Sequence, residues 1–161
     1  MRSFDFAQDD ARNIMTSIIT TVGTEEAKKV PTKDLSGNEN GFLIELYKDG
    51  SKTTAYMTCA TPGAFKGYHL HRVRGARYIC VRGTMKIILY VDGVRQEHIL
   101  TSNPPMRLTI PPMIPTGLEN IGTEDGWLIN YPDPAYDPAL HDEQVDFTQA
   151  ELDSGEWKSK L

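Results

Sequence analysis

Residues 63–93 read GAFKGYHLHRVRGARYICVRGTMKIILYVDG and carry the strongest fold signal in the chain. Between Tyr78 and Tyr90 the odd positions Ile79, Val81, Met85, Ile87 and Leu89 are apolar, while Arg82, Thr84 and Lys86 are polar. A period of two predicts a β-sheet with one buried face. Asp92-Gly93 supplies the two-residue turn signal that closes a hairpin. Upstream, His69 and His71 stand two apart in a strand-like run fenced by glycines, so both imidazoles project from one face and can converge on one small object.

Working outward, the same pattern recurs. Strands are expected over Ile18–Val22, Gly41–Tyr47, Thr54–Cys59, Tyr68–His71, Arg77–Val81, Met85–Val91, Gln96–Leu100, Arg107–Ile110 and Trp127–Tyr131, with Lys48-Asp49-Gly50 as a further turn signal. Only Thr24–Lys29 and the acidic stretch Asp142–Leu161 read as helix or cap, the latter as a solvated end. Short strands separated by Gly/Pro turns, without alternating helices, predict an all-β double-sheet jelly roll. At 161 residues the chain fits one domain. Residues 1–14 lack periodicity and read as a disordered tail or an upstream start, with the domain running over 15–161.

Seventeen Lys+Arg against 22 Asp+Glu give a net charge of -5, with no basic block to track a phosphate backbone, so nucleic acid is not an expected partner. No apolar stretch is long enough to cross a bilayer and no signal-peptide pattern opens the sequence, so no membrane partner and a cytoplasmic location are expected. The two cysteines, Cys59 and Cys80, are too few and too poorly spaced for a disulfide framework or a zinc site; they read as buried thiols in a reducing compartment.

Two chemistries suit a paired His-x-His: a metal centre, or acid/base catalysis by imidazoles titrating near neutrality. The segment resembles the first motif of the cupin superfamily, Gly then His-x-His then Glu then Gly, and IPPMIPTGLEN (residues 110–120) fits the frame of the second. Pro111 and Asn120 match that second motif. Met113 replaces its Gly and Thr116 its His, and the Glu of the first motif falls on Ala76. Two imidazoles without a third nitrogen or a carboxylate make a poor metal site, so no metal is expected unless a distant residue such as Glu97 or Glu119 completes the set.

Beyond the superfamily, FKGYHLHR resembles the Arg-Gly-x-His-x-His-Lys segment of nucleotide-sugar 3,4-ketoisomerases, and KGYH resembles the Arg-Gly-Leu-His of dTDP-4-dehydrorhamnose 3,5-epimerases, the RmlC-like cupins. LINYPDPAYDP (residues 128–138) is similar to the epimerase Tyr-Lys-x-x-x-Tyr-Tyr-x-Pro segment. The resemblance implies a homodimeric isomerase or epimerase acting on a nucleotide-linked 4-keto-6-deoxysugar, with no organic cofactor because the ketone acidifies the neighbouring carbon. It makes His69 the base that removes a proton beside the ketone, His71 the second proton carrier and Tyr131 the proton-returning acid. Lys66 takes the place of the arginine before Gly67 and, with Arg72 and Arg77, is expected to bind the substrate's anionic part. The epimerase lysine that would neutralise the enolate falls on Ala76, beside Arg77. A metal-dependent cupin enzyme and a non-catalytic carbohydrate- or nucleotide-binding cupin are the alternatives.

Overall fold

The computed structural model describes residues 29–48, 54–132 and 134–161. The expected tail 1–14, the start at Met15, the strand Ile18–Val22, nearly all of the helix Thr24–Lys29 and part of the turn at Lys48-Asp49-Gly50 lie outside the described residues. Eleven strands are described: β1 (Lys29–Lys33), β2 (Glu39–Lys48), β3 (Thr54–Ala60), β4 (Phe65–His71), β5 (Ala76–Arg82), β6 (Thr84–Val91), β7 (Val94–Thr101), β8 (Arg107–Ile110), β9 (Thr116–Asn120), β10 (Gly126–Asn130) and β11 (Gln144–Asp146). One sheet has the order β1-β2-β3-β10-β5-β8 and the other β11-β4-β9-β6-β7. Every strand pair is antiparallel. The expected all-β jelly roll is the observed fold.

The two sheets face each other over one core. β5 contributes Ala76, Tyr78 and Cys80, β6 contributes Met85, Ile87 and Leu89, and Leu100, Ile110, Leu118 and Leu128 fill the space between. The alternation holds within β6 but changes phase across Arg82-Gly83, where the chain leaves one sheet and enters the facing one. In β5 the even positions therefore point inward and Val81 is exposed, correcting the single phase expected over residues 78–90. At Asp92-Gly93 both residues have left-handed φ (51° and 82°), the backbone of the expected hairpin turn, and Val91 pairs with Val94. Both cysteines are buried free thiols.

The C-terminal stretch is not a solvated end. After β11, helix α1 (Gln149–Ser154) starts in a capping box in which Thr148 Oγ1 accepts from the Glu151 backbone N–H and Thr148 N donates to Glu151 Oε2. A 3-10 turn follows over Glu156–Lys160. Phe147, Leu152 and Trp157, five residues apart, are buried against Tyr68, Leu70, Ile88 and Tyr90 on the outer face of the five-stranded sheet. β4 and β6 are thus covered on both faces, and the acidic residues between the three anchors mask that burial in the sequence. Among the described residues no helix is long and apolar enough to cross a membrane.

Where β4 passes β9 the backbones meet at glycines. A Cβ on Gly67, whose φ is +122°, would lie 2.9 Å from both Gly117 Cα and Thr116 O, and a Cβ on Gly117 would lie 2.7 Å from the Tyr68 ring. Replacing Gly67 by Ala is expected to cost about 2 kcal/mol or more through left-handed strain and backbone collision. Gly63→Ala, at φ +75° in open space, is expected to cost about 1 kcal/mol. Thermal unfolding of the two variants checks this; equal midpoints would contradict the close approach of β4 and β9.

Candidate functional site

β4 aims the histidines. Tyr68 and Leu70 lie buried beneath the C-terminal segment, which turns His69 and His71 to the inner face with their ring centroids 5.1 Å apart. Strict alternation would send Lys66 outward with Tyr68. Instead the pairing with β9 shifts register between Lys66 and His69, and this irregularity brings Lys66 into the same cavity as the histidines.

That cavity measures about 640 Å³ and opens between the two sheets, within the range of a small-molecule site. One wall carries Lys66, His69, His71 and Leu118, and the facing wall carries Leu43, Thr54, Tyr56, Thr58, Tyr78, Leu128 and Asn130. Arg74, Tyr136, Gln144 and Asp146 lie around the histidine end, with the Arg74 guanidinium 5.2 Å from the centre of the Tyr136 ring.

Glu143 organises this end, and sequence reasoning missed it. Its buried carboxylate lies 2.8 Å from His71 Nδ1 and 2.9 Å from Arg74 Nη2, and it also accepts from the Arg74 backbone N–H at 3.1 Å. A carboxylate only accepts, so Nδ1 carries the proton and Nε2 is left as the basic nitrogen. The Arg74 Nη2 atom is also 3.0 Å from Nδ1, but both nitrogens act as donors to the same carboxylate oxygen, Glu143 Oε2, which can only accept. Burial works against ionisation of Glu143, yet hydrogen bonds from Arg74 and His71 overcome it and hold the carboxyl at about 2. Burial, then the neighbouring His71, lowers His69 to about 4, and burial, then Arg74, lowers His71. Both imidazoles are neutral at pH 7, the form a base requires. Burial also lowers the Lys66 ammonium to about 8; its Nζ donates to Thr32 Oγ1 and to Asn40 Oδ1.

Three expected site residues lie elsewhere. Arg72 was expected to bind substrate, but its guanidinium donates to the backbone oxygens of Asp142, Lys160 and Leu161 at 2.8–3.0 Å, clasping the C-terminal segment. Arg77 projects from the exposed face of β5, donates to Tyr131 O at 3.0 Å and lies over the Tyr131 ring at 5.0 Å. Tyr131 is 45% exposed just past the end of β10 and does not line the cavity. The motif match placed it by sequence, whereas the strand ends one residue earlier, at Asn130.

The cupin frame itself is kept. Thr116 pairs with His69 across β4 and β9, Met113 holds a left-handed φ of 69° where the motif has Gly, and Asn120 is fully buried, donating to Ala60 O and Glu124 O at 2.7 Å. A metal does not fit what the frame holds. Ala76 is a core methyl, Thr116 Oγ1 donates to Ile114 O, and His71 Nδ1 is taken by Glu143. Among the described residues no three His, Cys, Asp or Glu side chains converge as a ligand set. Glu97 and Glu119 are paired with Arg95 and Lys86, each at 2.6 Å, on strands whose outward face carries them away from the histidines.

Removing Glu143 leaves Arg74 buried without its counter-ion, so Glu143→Ala is expected to cost about 3–5 kcal/mol. The depressed groups also set the acid response. His69 and Glu143 each have folded values below their unfolded ones (about 4 against 6.5, about 2 against 4.5). Their contributions are therefore full above the unfolded values and lost as pH falls through the folded ones. The thermal midpoint is expected to fall from pH 6.5 to 4, and His69→Gln to flatten that part of the curve; an unchanged slope in the variant would contradict the burial of a neutral His69.

Several known proteins share this architecture. CapF, a capsular polysaccharide assembling protein from Staphylococcus aureus, superimposes with a TM-score of 0.62 at 20% identity, over 73% of this chain and 34% of its own. CapF bound to the inhibitor 3-isopropenyl-tropolone gives the same values. An oxalate decarboxylase superimposes with a TM-score of 0.56 at 19% identity, over 68% of this chain and 29% of its own. The chain spans about a third of these relatives, and at such identity the likeness establishes the cupin fold. No curated protein matches the sequence. The model of the polysaccharide biosynthesis C-terminal domain matches residues 36–144, which include both cupin motifs, the histidine pair and Glu143, and the chain belongs to that family.

Proposed function

We propose that the protein is an isomerase or epimerase of a nucleotide-linked 4-keto-6-deoxysugar, serving polysaccharide biosynthesis by proton transfer through an enolate or enediol. The observation that carries this reading is His71, held by Glu143 through Nδ1 in the wall of a cavity it shares with a second neutral imidazole, His69. A neutral imidazole accepts a proton from the carbon beside the ketone, and the Glu143 carboxylate offsets the positive charge that then develops on the His71 ring. The ketone acidifies its own neighbouring carbon, so an anionic oxygen develops during the step. Lys66, which donates to the neutral oxygens of Thr32 and Asn40, supplies a cation within the same cavity for an enolate or diphosphate oxygen. Nucleotide contacts remote from the reacting carbon would contribute binding energy to the transition state. Membership of the polysaccharide biosynthesis family and the likeness to CapF, a capsular polysaccharide assembling protein, support the substrate class.

Proton NMR of dTDP-4-keto-6-deoxyglucose incubated with the protein in D₂O is expected to show deuterium entering C3 or C5. His71→Asn should slow entry about 10²-fold or more, the typical share of a general base, and Glu143→Gln should slow it to a smaller extent. Binding of the nucleotide sugar by the wild type without any exchange would sink the enzymatic reading in favour of a carbohydrate-binding module.

A further inference from the structure

Inverting a carbon centre through an enolate requires a base on one face of the sugar ring and an acid on the other. The cavity walls are divided in this way: His69 and His71 come from β4 of the five-stranded sheet, and the facing wall belongs to the six-stranded sheet. The hydroxyls on that facing wall are those of Thr32, Thr54, Tyr56, Thr58 and Tyr78. A phenol is a far stronger acid than an aliphatic alcohol, which leaves the two tyrosines. Tyr78 lies on β5, which begins two residues after Arg74, a residue at the histidine end of the cavity. It lies two residues beyond Ala76 on β5, is 6% exposed, and its phenol feels the charge of Arg74, the guanidinium whose Nη2 lies 3.0 Å from the His71 ring.

Resting on the proton-transfer reading above, we propose that Tyr78 returns the proton from the face opposite the histidines, in place of Tyr131, and that the reaction is therefore an epimerisation. The C–H bond beside the ketone breaks to a histidine nitrogen, and its electron pair moves into the enolate. A new C–H bond then forms with the Tyr78 hydroxyl proton on the opposite face as the ketone is restored. The phenolate takes a proton from water and the imidazolium releases one, so nothing is consumed and the product carries one solvent hydrogen. Burial pushes the Tyr78 phenol up to about 12, which keeps it protonated and able to donate at neutral pH. An enolate carbon is a stronger base than a phenolate, so the transfer still runs downhill.

Tyr78→Phe and Tyr131→Phe each remove one hydroxyl, and each is assayed in D₂O for deuterium entry into recovered substrate and, separately, for epimer formed. Tyr131→Phe is expected to keep both within about twofold. Tyr78→Phe is expected to lose epimer formation by about 10²-fold or more while deuterium still enters with retention of configuration, the histidine face returning what it took. Inversion by Tyr78→Phe at the wild-type rate, or equal loss of exchange and inversion, would overturn the role of Tyr78 and leave the histidine chemistry standing. No exchange by the wild type would overturn both. If Tyr78→Phe folds poorly, 3-fluorotyrosine at position 78 serves instead. Its more acidic phenol is expected to move the alkaline limb of the inversion rate to lower pH, and an unmoved limb would count against Tyr78.

Discussion

A buried carboxylate cannot remain ionised without donors around it, and at Glu143 those donors tie the site together. Arg74 gives it a guanidinium and a backbone N–H, and His71 gives it a ring N–H. The Glu143 carbonyl in turn accepts from Arg72 N at 2.7 Å. The loop after β4, β4 itself and the segment leading into β11 are therefore joined at one residue. The same contacts choose the tautomer of His71, so the interaction that closes the C-terminal segment onto the barrel also leaves Nε2 as the basic nitrogen of that ring.

From that constraint the rest of the site follows in layers. The segment after β11 covers the outer face of β4 with Phe147, Leu152 of α1 and Trp157 of the 3-10 turn, which fixes Tyr68 and Leu70 outward and the histidines inward. Arg72 reinforces the closure by binding the last carbonyls of the chain. The irregularity before His69 adds Lys66 to the same wall. Burial then keeps both imidazoles neutral, and the facing sheet presents a phenol across the cavity. Stability and the proposed proton transfer draw on one network, so substitutions at Glu143 should affect both.

The strands were legible because alternation survives in most of them, and the histidine pair because its spacing by two on a strand admits one geometry. β9 escaped notice: TGLEN carries a glycine inside and reads as a motif fragment, and only its neighbours Phe65 and Tyr68 show why that glycine is needed. Glu143 stands 72 residues from His71 in a run of acidic residues that looks solvated, and no local pattern marks one carboxylate among several as buried. Tyr131 and Arg77 were misplaced for the complementary reason, since a motif match fixes position along the chain while the end of β10 and the phase of β5 fix direction. Tyr78 was hidden by the change of phase at Gly83, a consequence of the crossover between sheets.

The state of the His71 ring tests the account most directly. Nitrogen-15 NMR of the imidazole at pH 7 is predicted to show a neutral ring protonated on Nδ1, with Glu143→Gln altering the Nδ1 signal. A ring protonated on Nε2, or an imidazolium at that pH, would contradict the assignment of His71 as a base oriented by Glu143.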